Sequence, residues 1–421
     1  MLNLIGVIIA FAVILILIRK KINFGVSLLF GSLVVGVFSL QVIAPIDIPK
    51  AMIEASVYSF EEQQVMTETI ELALLMTLIF VLAKCMQETG AITKLIESLR
   101  TFFSKGGTLG VIPAVYGLMP VQGGALFSAP QIDKEGEKYK LKKDQKNFLN
   151  IWFRHIWLPI YPISSAMILI CSIQFSGVPL QMLILANLPS FVGMIIIGYL
   201  YLRKYTKNAH PTTTTASKKN TQGLVYLLPP IVPLMFYPLK FLGVSETRCF
   251  LLGVVISLLV LYGLLKIEWR VYLHVLKKSV TWKLALAIFG IMILREMITI
   301  SQTHVLLAEM MQNLAFPALV IVIVIPLLLG TLTGYNLGAV ALSYPLVEPF
   351  FAFTGVNIIG LTSIIFMCSI IGYLISPIHL CNVLSSEYLK TDTTRMYRMF
   401  LPAAFALLLI QILFVVVVFP L

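Results

Sequence analysis

Charge is scarce in this chain. Only 12% of its residues are Asp, Glu, Lys or Arg, roughly half the share that a soluble globular chain carries. That scarcity excludes a solvated surface over most of the molecule. Acids are scarcer than bases, 19 against 31, which leaves a formal net charge of +12. Cysteine is scarce as well. Cys85, Cys171, Cys249, Cys368 and Cys381 lie far apart, each in an apolar segment. They read as small buried apolar residues, not as a disulfide framework or a metal cluster. No Gly-x4-Gly-Lys-Ser/Thr loop is present, which argues against ATP-driven transport by this chain. No His-Glu-x-x-His pair occurs, and Ser128 lacks a nucleophile-elbow context, so an intramembrane enzyme is disfavoured. Zinc-finger spacing and RNA-binding aromatic motifs are missing too, so the basic excess does not point to nucleic acid.

Apolar residues dominate: 59% of the chain is hydrophobic, with a mean hydropathy of +0.94. Several runs exceed the ~18 apolar residues that cross a bilayer core. The chain reads as a multi-pass membrane protein. Residues 2–18 are apolar, but Arg19-Lys20-Lys21 follow the run instead of preceding it. That order reads as a first membrane helix with its N-terminus outside, not a secretory signal. Further candidate spans are 24–42, 68–88, 148–173 and 180–202. A polar linker, 203–222, separates these from 224–242, 249–266, 283–300, 357–385 and 399–420.

Two apolar stretches break the rules for a plain span. Residues 108–130 contain Gly117-Leu-Met-Pro-Val-Gln-Gly-Gly-Ala-Leu-Phe-Ser-Ala-Pro130. Residues 315–347 contain Gly330-Thr-Leu-Thr-Gly-Tyr-Asn-Leu-Gly-Ala-Val-Ala-Leu-Ser-Tyr-Pro345. Charge decides how they thread. If each enters and leaves on one side, the cytoplasm holds Arg19, Lys20 and Lys21, the lysines from Lys134 to Lys146, Arg203, Lys204, Lys218, Lys219, Arg270, Lys277, Lys278, Lys390, Arg395 and Arg398. The outside keeps Lys50, Lys240 and Arg248 among mainly acidic loops. A full crossing by either stretch would destroy that bias. Both are therefore expected to be re-entrant hairpins, with both chain termini outside the cell membrane. Segment 45–66 is expected to be an external interfacial helix, 268–280 a cytoplasmic amphipathic one, and 131–147 a solvated face.

The same order occupies residues 1–202 and 223–421. Five crossings per half is an odd number, so the halves must be oppositely oriented. The expected fold is an all-α membrane protein of two inverted repeats, each with five transmembrane helices and one re-entrant hairpin. Inverted repeats with discontinuous helices are the signature of secondary transporters. The Gly117–Pro130 hairpin, the charged stretch after it and Arg154-His-Ile-Trp-Leu-Pro-Ile-Tyr-Pro162 resemble the ion transporter superfamily. That superfamily includes gluconate permeases, dicarboxylate/sodium symporters and arsenite carriers. The chain looks most like an uncharacterised prokaryotic membrane family, a domain of unknown function, related to the gluconate permeases. The resemblance implies an elevator-type carrier with a scaffold that forms homodimers and a transport domain that moves.

Candidate site residues follow from what lipid cannot do. Free backbone N–H and C=O groups survive at membrane depth only inside protein or against a cavity. The first tip offers Gln122, Gly123 and Gly124, and a helix restarting at Gly124 would aim its positive end at an anion. The bland alternative is a turn that merely packs. The second tip offers Thr331, Thr333, Gly334 and Asn336, either as oxygen ligands for Na⁺ or as caps for their own turn. Pro159 and Pro162 break one span, and Ser376 and Pro377 break another. Arg154, His155, His379 and Asn382 lie beside those breaks. Arg154 has snorkelling as its bland alternative, and each histidine has a purely structural pairing. The imidazoles are candidate proton carriers. His155 precedes Pro159 by four residues, which would put the two on one helical face. Lys84 and Arg295 occupy matching positions and read as interfacial anchors. The expected function is cation-coupled transport of a small organic anion. A channel is the alternative, and no cofactor is implied beyond a coupling Na⁺ or H⁺. Cysteines introduced at Gln122 and Asn336 should react with impermeant reagents from opposite membrane faces. Reaction of both from one face in every state would contradict the inverted threading.

Overall fold

The protein is seen in a computed structural model that describes every residue except 61, 103–105, 119–123, 208–220 and 314–316. It is all-α. The first part comprises α1 (Leu2–Arg19), α2 (Phe24–Phe38), α3 (Asp47–Glu54), α4 (Thr67–Glu88), α5 (Ala91–Arg100), α6 (Thr108–Gly117), α7 (Ala125–Glu137), α8 (Lys143–Arg154), α9 (Ser165–Cys171) and α10 (Leu180–Thr206). The second opens with a 3₁₀ turn at Gln222–Leu227. It continues through α11 (Leu228–Met235), α12 (Glu246–Leu265), α13 (Trp269–Ser279), α14 (Trp282–Ile300), α15 (Thr303–Asn313), α16 (Ala318–Thr333), α17 (Asn336–Val347), α18 (Ile358–Ile375), α19 (Leu380–Leu389) and α20 (Thr393–Val418). Among the described residues the one sheet is a two-stranded ladder, β1 (Tyr58–Ser59) against β2 (Gln64–Val65).

Among the described residues, seven helical stretches are long and apolar enough to cross a membrane: Leu2–Arg19, Thr67–Glu88, Leu180–Thr206, Gln222–Leu242, Glu246–Leu265, Ile358–Leu389 and Arg395–Val418. The other expected spans are modified. Helix α2 has 15 residues, and α14 carries Lys283, Arg295 and Glu296. Span 148–173 is interrupted between α8 and α9. Side chains fix several helix starts. Asn357 Oδ1 accepts from the amides of Ile359 and Gly360 at the head of α18, each at 3.1 Å. Ser245 and Thr281 cap α12 and α14 in the same way. These caps satisfy amides that have no intrahelical partner.

Two expectations need correction. Segment 45–66 is helical only at Asp47–Glu54, and the chain then folds back as the β ladder. Segment 131–147 is not a solvated loop. Helix α7 runs on to Glu137, and Lys146 is buried with its ammonium 2.6 Å from Asp133 Oδ1. A lysine buries its alkyl stem readily when its charge finds a partner, and Gly136 leaves room for that stem: a Cβ there would lie 2.8 Å from Lys146 Cε.

Helices pack in two sets. In one, α14 lies against α2 and α4, α12 against α4, α1 against α2 and α11 against α12. In the other, α6 packs on α8, α16 on α18, α7 on α19 and α17 on α9, with α10 and α20 beside α18. Lipid supplies no hydrophobic drive between helices, so close contact at small residues holds them together. At the α16–α18 crossing a Cβ on Gly330 would lie 2.7 Å from the Ser369 carbonyl oxygen, and one on Gly372 would collide with that of Leu327. At the α2–α14 crossing a Cβ on Gly290 would lie 2.8 Å from Gly25 O. Gly330→Leu should therefore lower stability by about 1–3 kcal/mol, read as a lower thermal unfolding midpoint in detergent. Gly263→Ala should not lower it, because nothing lies within 4 Å of the new methyl. Equal midpoints for Gly330→Leu and wild type would refute the close-packing account.

Candidate functional site

The site begins where α8 stops. A helix continuing through Pro159 would leave the His155 carbonyl without its amide partner and clash with the ring. The chain turns earlier: Leu158 N donates to His155 O at 3.1 Å. Helix α8 ends at Arg154, and residues 155–164 are unwound until α9 starts at Ser165. His155 is therefore the C-terminal cap of α8 and does not share a continuous helical face with Pro159, contrary to the spacing argument. The second break falls where expected. Helix α18 ends at Ile375, Ser376 and Pro377 follow, and His379 caps the start of α19.

Each break exposes backbone that other elements satisfy. Asn187 on α10 donates to Pro159 O at 3.0 Å. Asn382 Nδ2 donates to Leu374 O at 3.0 Å, and Ser376 Oγ to Thr331 O at 2.6 Å. Break one in turn caps hairpin one, whose arm α6 ends in carbonyls without helical partners. Arg154 Nη1 donates to Tyr116 O at 2.9 Å, Trp157 Nε1 to Ala114 O at 3.0 Å and Tyr161 Oη to Leu118 O at 2.8 Å. Arg154 is only 5% exposed, so it does not snorkel to the surface. Its guanidinium lies on Gly124, the residue before α7, where any Cβ would collide with it. Gln122 and Gly123 lie outside the described residues.

Hairpin two meets the other break. Helix α16 ends at Thr333, and Gly334 turns the chain with φ +59°. That left-handed angle suits glycine, and a Cβ would also lie 3.0 Å from His379 N. Thr331 and Thr333 donate their hydroxyls to Leu327 O and Leu329 O at 2.8 and 2.7 Å. Thr333 Oγ1 also accepts from Tyr335 N at 3.3 Å. Thr331 thus bonds back into α16, while Thr333 ties the end of α16 to the turn. Asn336 Oδ1 and Asn382 Oδ1 are buried without a hydrogen-bond partner among the described residues.

The two breaks touch. The His155 and His379 rings are 4.9 Å apart between centroids, and the Tyr373 ring lies tilted against His379 at 3.9 Å. His155 Nδ1 is 2.6 Å from Ile151 O. A carbonyl only accepts, so Nδ1 carries the proton and neutral His155 keeps its lone pair on Nε2. Tyr373 Oη is 3.4 Å from that nitrogen. His379 is 1% exposed, and among the described residues neither of its ring nitrogens makes a well-formed hydrogen bond, although the Cys381 thiol lies beside it. Cys381, in the first turn of α19, completes a buried set whose potential ligand atoms all lie within 4.8 Å of one another.

A second polar cluster locks the helices around this centre. Asn150 donates to Ala125 O at 3.1 Å and to Ser385 Oγ at 2.8 Å, and accepts from Ser128 Oγ at 2.5 Å. Asn147 donates to Ser386 Oγ at 2.9 Å. Together they join α7, α8 and α19. Sequence reasoning passed over Asn147, Asn150, Tyr373 and Cys381. The spacing of Asn147, Asn150 and Arg154 does mark one polar helical face, whereas no local pattern marks Tyr373 or Cys381. The paired anchors stand elsewhere: Lys84 pairs with Glu88 at 3.2 Å, and Arg295 lies over the Phe175 ring at 5.5 Å.

Residues 2–417 match a family model described as "Protein of unknown function (DUF401)". No curated protein matches the chain. Asn150→Ala removes one partner from three buried hydrogen bonds and should cost about 1–3 kcal/mol for the groups left unpaired. The expected readout is a clear drop in thermal midpoint, with Ser128→Ala giving a smaller one. An unchanged midpoint for Asn150→Ala would show that the cluster does not hold α7, α8 and α19 together.

Proposed function

Taking as premise that the chain belongs to the DUF401 family, we propose that it is a secondary active transporter of a small organic anion. Its all-helical, apolar build fits a membrane transporter in general. One observation carries the reading: two broken helices, the start of α7 at Gly124 and the Gly334 turn of hairpin two converge on one buried polar centre. Unwound backbone at membrane depth is tolerated where it lines a substrate path, and discontinuous helices meeting near the midplane are how carriers build such paths.

The order of elements supports two inverted halves, 1–202 and 223–421. Hairpin arm α7 packs on α19, the far side of break two, and arm α17 packs on α9, the far side of break one. Such an exchange is what a two-fold axis in the membrane plane produces. We assign α1, α2, α4, α11, α12 and α14 to a scaffold that dimerises. The hairpins and broken helices form the moving body of an elevator-type carrier. Alternating access then opens the centre to the cytoplasm past hairpin one and to the outside past hairpin two.

Arg154 supports an anionic substrate. Its guanidinium rests on the start of α7, where the helix end is already positive. Two positive features in contact in a low dielectric are unfavourable, and an anion lying over both relieves the repulsion. The likeness to gluconate permeases makes sugar acids, lactate and di- or tricarboxylates the class to screen. The coupling ion is H⁺ at the imidazoles or Na⁺ at the oxygens of hairpin two.

Purified protein in proteoliposomes should accumulate a labelled organic anion from this class when a proton or sodium gradient is imposed. Arg154→Gln should reduce uptake about 10–100-fold, the loss of one charge-assisted contact, while the folded fraction stays constant. Uptake indifferent to both gradients would sink the coupling. Unitary currents would identify a channel instead.

A further inference from the structure

The buried centre has a donor set, two imidazoles and a thiol, that binding of the anion itself does not use. We propose that His155, His379 and Cys381 form a binding site for one soft monovalent metal ion, Cu⁺. Three observations carry this. The potential ligand atoms of the three residues lie within 4.8 Å of one another, and all three side chains are buried. Both ring nitrogens of His379 are buried, and among the described residues neither makes a well-formed hydrogen bond, only the Cys381 thiol lying beside the ring, an unfavourable state for an imidazole unless something else takes its lone pair. The Nδ1 proton of His155 is spent on Ile151 O. That bond fixes the tautomer that presents Nε2 as a ligand, as carbonyl contacts do for metal-bound histidines.

Ligand bonds of about 2.0–2.3 Å bring donor atoms to within about 3.5–4 Å of each other around one ion. The triad therefore closes by roughly an ångström, within reach of side-chain rotation. Among the described residues, the contact from Tyr373 Oη to His155 Nε2 at 3.4 Å is long for a hydrogen bond to a hydroxyl, and the hydrogen bonds of the Cys381 thiol to the two imidazoles give way when metal displaces its proton.

Charge and softness select the ion. Cysteine binds metal as thiolate, so binding releases its proton. One thiolate and two neutral imidazoles around Cu⁺ sum to zero. The same ligands around Zn²⁺ leave a net positive charge, buried and one residue from Arg154. A net charge in such surroundings costs several kcal/mol, and thiolate is in any case a soft ligand suited to Cu⁺. Among hard ions, Na⁺, Mg²⁺ and Ca²⁺ find no oxygen in this triad. The site follows from the donor set alone and stands independently of the transport reading.

The test uses full-length protein in detergent under anaerobic, reducing conditions. Cu⁺ is supplied as its coloured bicinchoninate complex. Wild type should withdraw one equivalent of Cu⁺, with Zn²⁺ in equal amount failing to displace it. Cys381→Ser should weaken binding about 100-fold or more, beyond the range typical of outer-shell changes, whereas Cys368→Ser should bind as wild type. Copper X-ray absorption on the wild type alone should show one sulfur and two nitrogens as nearest neighbours, which keeps the test valid should Cys381→Ser fail to fold. Wild-type affinity in folded Cys381→Ser, a nearest shell without sulfur, or preference for Zn²⁺ would each overturn the proposal. Loss of anion uptake with Cu⁺ binding intact would count against the transport reading only.

Discussion

A peptide group at membrane depth must find a hydrogen-bond partner in the protein, because lipid offers none. Among its described residues this chain interrupts its helices inside apolar segments at two broken spans, at the Gly334 turn of hairpin two and where α6 ends and α7 starts in hairpin one. Each described interruption has side chains assigned to it from elsewhere. Arg154, Trp157 and Tyr161 serve the end of α6, and Asn187 serves Pro159. Ser376 serves the end of α16. Asn382 reaches back from α19 to the last turn of α18. Break one thus holds hairpin one, and break two holds hairpin two. The interruptions are mutually dependent, and neither hairpin would keep its shape at that depth alone.

The rest of the packing serves this arrangement. Apolar surface cannot drive one helix against another when both already face lipid, so specificity comes from close glycine contacts and buried polar networks. Gly330 and Gly372 let α16 and α18 touch backbone to backbone. Asn150 joins three helices through its amide, and a second network runs through Asn187, Ser363, Gln411 and Ser190. These networks surround the breaks. They keep polar atoms satisfied where the helices must stay registered. Buried polar atoms without a partner among the described residues are scattered, from Gln87 Oε1 to Ser369 Oγ, but His379, Asn336 Oδ1 and Asn382 Oδ1 lie together at or beside the turn and break of the second half. There a ligand could do the pairing.

The charge pattern of Arg19-Lys20-Lys21, the lysines of 134–146 and Lys277-Lys278 is what the expected threading rests on, because bilayer insertion sorts cations by side. Proline positions made the breaks legible. Pro377 ends α18 where its restriction on the preceding residue requires. Pro159 was less well read, since the helix gives way four residues earlier, at His155, whose carbonyl finds Leu158 instead. The solvated reading of 131–147 failed at Lys146 because a charge count cannot see that Asp133 and Gly136 lie one helix away.

By itself, the sequence determined the membrane class, the helical periods, the places where the backbone must open and the identity of Arg154, His155 and His379 as polar groups beside those openings. These follow from local chemistry: hydropathy, the missing amide of proline, the freedom of glycine. Only the tertiary structure decided that His155 and His379 meet edge to face at 4.9 Å across 224 residues of chain, that Cys381 and Tyr373 join them, and that the Arg154 guanidinium settles on Gly124. Those contacts depend on which break packs against which hairpin. That choice is made by backbone satisfaction and close packing among distant segments, and no local pattern encodes it.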